Sequence, residues 1–270
     1  MTQTDGGVLE RFRLEYAAQR AAEGRRYTEA ELLSLPHLSS GPLARQWAVR
    51  ARTFDAFMRR ILLPLARATP HPLHVLDLGA GNGWLSHRVT LTGCSATAID
   101  LRVDAVDGLG AAAGYLRANG GGFHRIAASF DALPLAALSA DVVVFSAALH
   151  YAVDLGVVLR EAHRVTRAGG RLVILDSPFY RRTADGEAMV AEKRREAPRR
   201  FGARAEALLA LPVIEYLTRE RLEASSAQLG LTWRRHRVSY PLWYEVRPLS
   251  ARLRGRRAPS RFDLWESVVQ

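Results

Sequence analysis

The sequence predicts a doubly wound α/β fold, in which helices cover both faces of a mostly parallel sheet. Two observations predict it. Short apolar runs alternate with helical stretches between residues 74 and 175, and a glycine-rich turn follows the first apolar run. The 270 residues, of which 48% are hydrophobic, are enough to bury one large core. We therefore expect one large domain, with or without an appended segment.

The N-terminal segment, residues 1–68, is predicted to be helical. A long helix is expected over 42–68, because apolar residues from Trp47 to Leu65 recur at spacings of three, four and seven. The prolines within 70–72 are typical of a helix end.

The central segment, residues 69–180, contains the alternation that defines the fold. Four or five βα units in succession specify a parallel sheet with helices on both faces. The predicted strands are 74–78, 96–99, 123–127, 142–145 and 172–175, and the predicted helices are 84–91, 106–116 and 155–165.

The C-terminal segment, residues 181–270, is more basic than the rest. It holds 19 basic and 11 acidic side chains, so it carries eight of the eleven net positive charges. A helix is expected over 218–229, with Thr218 as its cap. Two strands, 232–238 and 262–269, are expected on either side of a helical insertion over 241–255.

The basic charge of the chain suggests nucleic acid as a binding partner. A net charge of +11 and an isoelectric point near 10.7 would attract polyanions. However, Lys193 is the only lysine among the 38 basic residues, whereas nucleic-acid-binding surfaces usually draw on both cations. The bias therefore indicates a coding preference, and nucleic acid is not the favoured partner.

The cysteine and histidine content argues against a metal site. A single cysteine, Cys94, excludes an intramolecular disulfide and a cysteine-held zinc or iron–sulfur site within this chain. The eight histidines are scattered, so no metal is predicted. No secretory signal is evident, and no apolar stretch is long enough to span a bilayer. We expect a cytoplasmic protein without membrane contact, as a monomer or a homodimer.

The glycine-rich turn predicts a binding loop. Residues 77–83 read Asp-Leu-Gly-Ala-Gly-Asn-Gly, so three glycines stand two apart directly before a helix. Glycine is needed where the backbone turns with positive φ and where a ligand approaches the chain closely. A small nucleotide-like ligand is therefore expected at the carboxyl ends of the strands. A dinucleotide fingerprint would need glycine in place of Trp84, and no Gly-Lys-Ser/Thr follows, which excludes a P-loop.

The turn and four later segments resemble one family. Asp-x-Gly-x-Gly-x-Gly after a first strand resembles motif I of the class I S-adenosylmethionine-dependent methyltransferases. Further similarity, in the order of the family, extends over residues 72–178 and includes the strand 96–100, the Phe-Asp-Ala-Leu-Pro segment 130–134, the strand and exit loop 140–151, and the helix–turn–strand 164–174. The nearest branch is the ubiquinone/menaquinone-biosynthesis-like group, which acts mainly on small molecules.

The resemblance implies a more specific architecture. It predicts a Rossmann-like sheet of seven strands, mostly parallel with one antiparallel strand, preceded by N-terminal helices. Residues 69–180 would be the S-adenosylmethionine-binding core. Residues 181–270 would then be no independent domain, but an extension that completes the sheet and covers the acceptor site.

The resemblance also implies S-adenosyl-L-methionine as the cofactor. In the binding loop, Gly79, Gly81 and Gly83 would meet the methionine moiety with their backbone. Asp77 would orient the loop and the amino group of the ligand, although a role as a strand-end residue that caps the turn is the alternative.

The remaining cofactor contacts come from later segments. Asp100, which ends the second strand, would bind both ribose hydroxyls, a geometry that suits two carboxylate oxygens. Asp131 would face the adenine amino group. The predicted cofactor site is completed by Asn82, a candidate cap for the next helix, Leu101, Phe130, and Ser146, which would contribute backbone near the methionine end.

The candidate catalytic residue is His150. Methyl transfer from a sulfonium is an in-line displacement, so the protein mainly aligns the reactants and excludes water. If the acceptor is a hydroxyl or an acidic carbon, a base is needed. His150 lies just beyond the fourth strand, where substrates of the family face the methyl group. A structural role for it is the alternative.

The predicted acceptor is a small molecule, with its O, N or C atom undetermined. The exit loop of the fourth strand lacks the Asn/Asp-Pro-Pro-aromatic motif of enzymes that methylate amino groups of nucleic acids. Five aromatic residues are candidates to wall an apolar or aromatic acceptor: Trp47, Tyr180, Tyr240, Trp243 and Tyr244. Two alternatives stay open, an RNA methyltransferase that uses the arginine-rich C-terminal third, and a non-enzymatic binding module with the same fold.

Overall fold

One sheet organises the computed structural model, which describes residues 3–119 and 122–270. Within these ranges the strands are β1 (His74–Leu78), β2 (Ser95–Asp100), β3 (His124–Ala127), β4 (Ala140–Ser146), β5 (Thr166–Leu175), β6 (Arg234–His236) and β7 (Leu264–Val268). They form one seven-stranded sheet in the order β3-β2-β1-β4-β5-β7-β6. β1 to β5 are parallel, and β7 pairs antiparallel with both β5 and β6. The predicted fold class is confirmed.

Helices cover both faces of this sheet. The helices of the described residues are α1 (Gln3–Ala22), α2 (Glu29–Ser34), α3 (Ala44–Phe57), α4 (Leu63–Ala68), α5 (Trp84–Thr90), α6 (Ala113–Asn119), α7 (Leu155–Val165), α8 (Thr183–Phe201), α9 (Ala205–Leu209), α10 (Arg219–Ser226), α11 (Leu242–Glu245) and α12 (Arg247–Leu253). A π-helical turn, Met58–Leu62, joins α3 to α4, so the long helix predicted before β1 is present. Within the described ranges, no helix has both the length and the apolarity needed to cross a membrane.

Alternating side chains of the strands fill two apolar cores. On one face of the sheet, Val75 of β1 packs in a cluster with Trp47 and Phe57 of α3. On the other face, Leu76 of β1 packs in a cluster with Leu159 of α7. Successive side chains of a strand point to opposite faces, so each strand contributes to both cores. β4 is buried at every position, as expected for a central parallel strand.

The helix expected over 106–116 begins later than predicted. Asp104 accepts hydrogen bonds from the backbone N–H groups of Val106 and Asp107, at 3.0 and 2.9 Å, and holds this stretch in a turn. A 3₁₀ turn, Leu109–Ala112, follows, and α6 begins only at Ala113. A local side-chain bond therefore outweighs the apolar spacing that predicted the earlier start.

The sequence pattern did not reveal α8. This helix has 19 residues but only three buried ones, Asp185, Gly186 and Ala197. Because little of its surface faces the core, its apolar residues do not recur with the helical period. The predicted cap of α10 is confirmed, since the Thr218 hydroxyl accepts a hydrogen bond from the Arg221 N–H at 3.1 Å.

The strand order positions the candidate site. The chain moves outward from β1 through β2 to β3, then returns to β4 on the other side of β1. The carboxyl ends of β1 and β4 thus flank a switch point, where the loops that follow them diverge. In open α/β sheets such a crevice is where ligands bind.

Gly83 provides a test of how tightly the loop after β1 is packed. Its φ is 77°, and an added Cβ would lie 2.7 Å from the Phe123 ring. Gly93 is the matched control, because its φ is 83° but nothing lies within 4 Å of its added Cβ. We expect Gly93→Ala to lower the free energy of unfolding by about 1 kcal/mol through backbone strain alone. Gly83→Ala should lower it by about a further 1–3 kcal/mol through overpacking.

Urea unfolding followed by circular dichroism measures both changes. Equal losses in the two variants would contradict close packing of Gly83 against Phe123.

Candidate functional site

The loop between β1 and α5 is fixed by hydrogen bonds to the end of β2. The N–H groups of Gly79 and Ala80 donate to the Ile99 carbonyl at 2.8 and 3.1 Å. The Gly81 N–H donates to the Asp100 carboxylate at 2.8 Å. A Cβ added at Gly79 would overlap the Ala148 side chain that follows β4. The loop therefore lies tightly between the ends of β2 and β4, as the glycine spacing predicts.

A cavity opens beside this loop, which we call the first cavity. It brings together seven of the residues predicted for the cofactor site: Gly79, Gly81, Asn82, Asp100, Leu101, Phe130 and Ser146. The Ser146 hydroxyl is buried and has no hydrogen-bond partner among the described residues. Since buried hydroxyls are usually hydrogen-bonded, an orphan at a cavity wall is a candidate ligand contact.

Asp100 offers a carboxylate to the first cavity. Each of its oxygens accepts one backbone N–H bond at 2.8 Å, one from Gly81 and one from Arg102. Burial raises the pKa of Asp100, while Arg102 and the two N–H donors oppose that rise. Each oxygen keeps further accepting capacity, which suits a ligand with paired hydroxyl groups.

Asp77 lies behind the loop and does not line the cavity. One of its oxygens accepts a hydrogen bond from the Ser86 hydroxyl at 3.0 Å, and the other has no partner among the described residues. The side chain is 1% exposed, and this burial raises the pKa of Asp77 to about 7. Its position supports the loop from below.

Three other predicted residues differ from their expected positions or hydrogen bonds. Asp131 is exposed and does not line the cavity. Gly83 faces Phe123 and is itself the N-cap residue of α5, the place expected for Asn82. The Asn82 side chain, one position earlier, still accepts a hydrogen bond from the N–H of Trp84, the first residue of α5, at 3.2 Å, and it donates to Asp107 at 3.3 Å.

Helix α1 supplies a wall that the sequence reasoning missed. The centre of the Tyr16 ring lies 4.7 Å from the Arg20 guanidinium and 5.0 Å from that of Arg102. The Tyr16 and Tyr151 hydroxyls are 2.8 Å apart. Phe12, Tyr16 and Arg20 recur every four residues and all line the first cavity. That spacing is the signal that would have found them.

A second cavity of about 400 Å³ adjoins the first at the carboxyl ends of β4 and β5. The two cavities share Arg20, Arg25, Arg50, Ala147 and Tyr151 as lining residues. Of the five aromatic residues predicted to wall an acceptor, Trp243 and Tyr244 line the second cavity, and Trp47 lines the first. The two cavities thus adjoin along these five shared residues.

His150 lines the second cavity, on the 3₁₀ turn Leu149–Tyr151 that follows β4. Its Nδ1 has no hydrogen-bond partner among the described residues. Burial, followed by the positive charges of Arg20 and Lys193, lowers the pKa of His150 to about 3. The imidazole is therefore neutral at pH 7 and is a much weaker base than an ordinary histidine.

The raised pKa of Asp77 predicts a pH-dependent loss of stability. Below about pH 4 the carboxyl is protonated in both the folded and the unfolded chain. Between its usual pKa of 3.8 and its folded pKa of about 7, only the unfolded chain ionises, so stability falls as pH rises. Above pH 7 that loss is complete.

The substitution Asp77→Asn tests this pH dependence of stability, because an asparagine side chain does not titrate. The stability of Asp77→Asn relative to the parent should rise by about 2–4 kcal/mol between pH 4 and pH 8. Urea unfolding at both pH values measures it, and Asp55→Asn, at a partly exposed position on α3, is the control. A difference that does not change with pH would contradict the burial of an uncompensated carboxyl.

The imidazole of His150 should not titrate between pH 5 and pH 8. Its Cε1 proton signal, assigned by its disappearance in His150→Gln, should keep a constant chemical shift in an NMR titration. Free histidine added to the sample is the control and titrates near 6.5. A midpoint between 6 and 7 for His150 would show that its side chain is hydrated.

The central part of the chain matches a known family. Residues 76–174 match the family model described as a methyltransferase domain. The malonyl-[acyl-carrier protein] O-methyltransferase of Methylococcus capsulatus is 33% identical over 177 residues, which cover 60% of this chain and 61% of that protein. The demethylmenaquinone methyltransferase of Mycobacterium marinum is 34% identical over 122 residues, which cover 45% and 48%. A second malonyl-[acyl-carrier protein] O-methyltransferase, from Dechloromonas aromatica, aligns over 46% of both chains, so the match spans about half the length of these relatives.

Solved structures share the fold over more of the chain. Magnesium protoporphyrin IX methyltransferase from Synechocystis, crystallised with bound SAH, has a TM-score of 0.55 at 14% identity and covers 91% of this chain and 95% of that one. The YcgJ protein of Bacillus subtilis has a TM-score of 0.56 at 14% identity and covers 77% and 97%. Residues 76–174, which carry the glycine loop, the Asp100 carboxylate and five strands of the sheet, are thus the part of the chain that is similar to a methyltransferase domain.

Proposed function

We propose that this chain is an S-adenosylmethionine-dependent methyltransferase that acts on a small-molecule acceptor. The observation that carries the proposal is the junction of two cavities at the carboxyl ends of the strands. The first cavity is bordered by the glycine loop and Asp100, and the second opens beside Ala147 and Tyr151. One cavity would hold the methyl donor and the other the acceptor.

The residues of the first cavity fit S-adenosylmethionine. Gly79 and Gly81 would let the backbone approach the methionine end, and the unpartnered Ser146 hydroxyl would lie near it. The Asp100 carboxylate would accept bonds from the ribose hydroxyls. Leu101 and Phe130 offer apolar surface to the adenine ring. The ligand contacts assigned to Asp77, Asn82, Gly83 and Asp131 remain predictions. Asp77 and Gly83 would act on the ligand only through the loop. Asp131 would act only from the surface.

The chemistry requires little of the protein beyond alignment. When bound, S-adenosylmethionine supplies an electrophilic methyl group on a sulfonium. The chain holds the loop rigid through Ile99 and Asp100, and α1 covers the cavity with Tyr16 and Arg20, which limits the access of water. We propose that neutral His150 shapes the wall beside the acceptor and does not remove its proton, because a strong general base is not available at that residue.

A small acceptor agrees with the arrangement of the basic residues. Several arginines of the C-terminal third, which suggested an RNA acceptor, form internal ion pairs. Arg257 lies 2.8 Å from Glu192, and Arg261 lies 2.7 Å from Glu245 and 2.9 Å from Asp263. The relatives named above methylate a malonyl group on acyl-carrier protein or demethylmenaquinone, as their names state. We infer an acceptor of this general kind, free or carrier-borne.

The organisation around the core follows from the same proposal. Residues 1–68 and 181–270 would cover the acceptor side of the core 69–180, since α1, α3 and α11 all contribute to cavity walls. A cytoplasmic location and a monomeric or homodimeric state stay predictions from the sequence.

Cofactor binding is the direct test of the proposed function. Isothermal titration calorimetry should detect micromolar-range binding of S-adenosylhomocysteine, and radiolabelled methyl groups should enter the small-molecule fraction of a cell extract. No binding, or label found only in RNA, would refute the proposal.

Asp100→Asn should weaken that binding by about tenfold or more. The substitution keeps the size of the side chain but removes the charge and one acceptor for the ribose hydroxyls. Asp55→Asn, the same chemical change at a position outside both cavities, should leave the dissociation constant within about twofold. Equal effects of the two substitutions would show that Asp100 does not contact the ligand.

A further inference from the structure

We propose that the acceptor carries an anionic group, and that Arg45 and Arg247 bind that group in the second cavity. This inference rests on the proposed function and names the chemical class of its acceptor. It is argued from the charges of the cavity wall, from their internal partners and from the charge of the cofactor.

The wall of the second cavity is strongly positive. Five arginines line it, whereas Asp176 is the one carboxylate among its described lining residues. The lining histidine, His150, is neutral at pH 7. Arginine keeps its charge over the whole range in which proteins are studied, so the wall has a surplus of positive charge at any working pH.

Three of these arginines have carboxylate neighbours. Arg20 lies 3.3 Å from Glu23, Arg25 lies 3.5 Å from Glu23, and Arg50 lies 3.5 Å from Asp176. Their charges are balanced in part by the protein itself. They also line the first cavity, where they would face the cofactor.

Arg45 and Arg247 have no such neighbour. Neither forms an ion pair with a carboxylate in residues 3–119 or 122–270. The Arg45 guanidinium lies 4.6 Å from the Trp243 ring centre, and that of Arg247 lies 3.6 Å from the Tyr244 ring centre. Arg247 also donates to the Tyr244 and Ser260 carbonyls, at 3.2 and 2.8 Å. Aromatic rings and carbonyls thus hold two guanidinium groups in place without neutralising them.

The cofactor makes this imbalance larger. S-adenosylmethionine adds a sulfonium charge to a zwitterionic amino acid, so it brings a further net positive charge beside the shared wall. A neutral acceptor would leave Arg45, Arg247 and the sulfonium without a counter-charge, whereas an anionic acceptor would supply one. Guanidinium groups bind carboxylate and phosphate with the same paired hydrogen bonds. Trp243 and Phe262, which line the cavity as well, suit an acceptor whose remaining part is apolar.

Binding of simple aromatic probes tests the proposal. The 270-residue chain is saturated with S-adenosylhomocysteine and titrated by calorimetry with benzoate, phenyl phosphate and neutral benzamide. We expect at least one anion to bind about tenfold more tightly than benzamide. The preferred anion identifies the group as a carboxylate or a phosphate. Equal binding of all three probes, or no binding of either anion, would overturn the proposal.

Matched variants locate the binding groups. Arg45→Gln with Arg247→Gln should reduce the anion preference about tenfold, to near unity, while the affinity for S-adenosylhomocysteine changes by less than about twofold. The control combines Arg52→Gln and Arg252→Gln, which are exposed positions on the same two helices outside the cavity, and should keep the preference. If the double variant does not fold, Arg45→Gln is tested alone, because Arg45 is exposed and its substitution should not prevent folding. This single substitution should reduce the anion preference several-fold.

A preference that survives in a folded Arg45→Gln, Arg247→Gln variant would overturn the assignment to these residues. Loss of the preference in the control would also overturn it, since general surface charge would then be the cause. The first titration separates this inference from the proposed function. If S-adenosylhomocysteine does not bind at all, the methyltransferase proposal fails and this one fails with it. If it binds and the probes show no preference, only the present inference fails.

Discussion

The hydrogen bonds between the loop after β1 and the end of β2 are the interaction on which the site depends. Three successive N–H groups, of Gly79, Ala80 and Gly81, find their acceptors at Ile99 and Asp100. The loop cannot shift without breaking these bonds, and glycine at its three left-handed positions adopts that backbone without steric cost. Both cavities take their position from this junction, because the turn after β4 packs against Gly79.

Two buried acidic groups, Asp100 and Asp176, lie at the carboxyl ends of the strands, and one of them pairs with an N-terminal helix. Asp100 and Asp176 are both largely removed from water, and burial raises the pKa of each. Arg102 lies 3.9 Å from Asp100, and Arg50 lies 3.5 Å from Asp176. Removing charges from water is costly unless partners and hydrogen bonds compensate. Arg50 comes from α3, so the N-terminal segment completes the electrostatics of the core as well as covering it.

The sequence predicts best what local patterns determine. β1 and α7 have the bounds expected from their apolar spacing, and the glycine loop adopts positive φ where three glycines demanded it. The family resemblance added the antiparallel β7. Contacts between distant parts of the chain could not be predicted from local sequence patterns. The Tyr16 and Tyr151 hydroxyls are in contact although 135 residues separate them, and no local pattern predicts that α1 lies over the cavity. Asp131, for which the resemblance implied a contact with the adenine amino group, is exposed and lies outside the lining of the first cavity.

The scarcity of lysine has a practical consequence. Lys193 carries the single side-chain amine of the chain, and it lies 2.6 Å from Glu215 in a cleft shared with Tyr16 and Tyr151. Amine-directed reagents, which label most proteins at many positions, therefore have one internal target here, at the edge of the region where α1 meets the core. A fluorophore attached to that amine would be placed, without any engineered residue, beside the cleft that Tyr16 of α1 and Tyr151 of the turn after β4 both line.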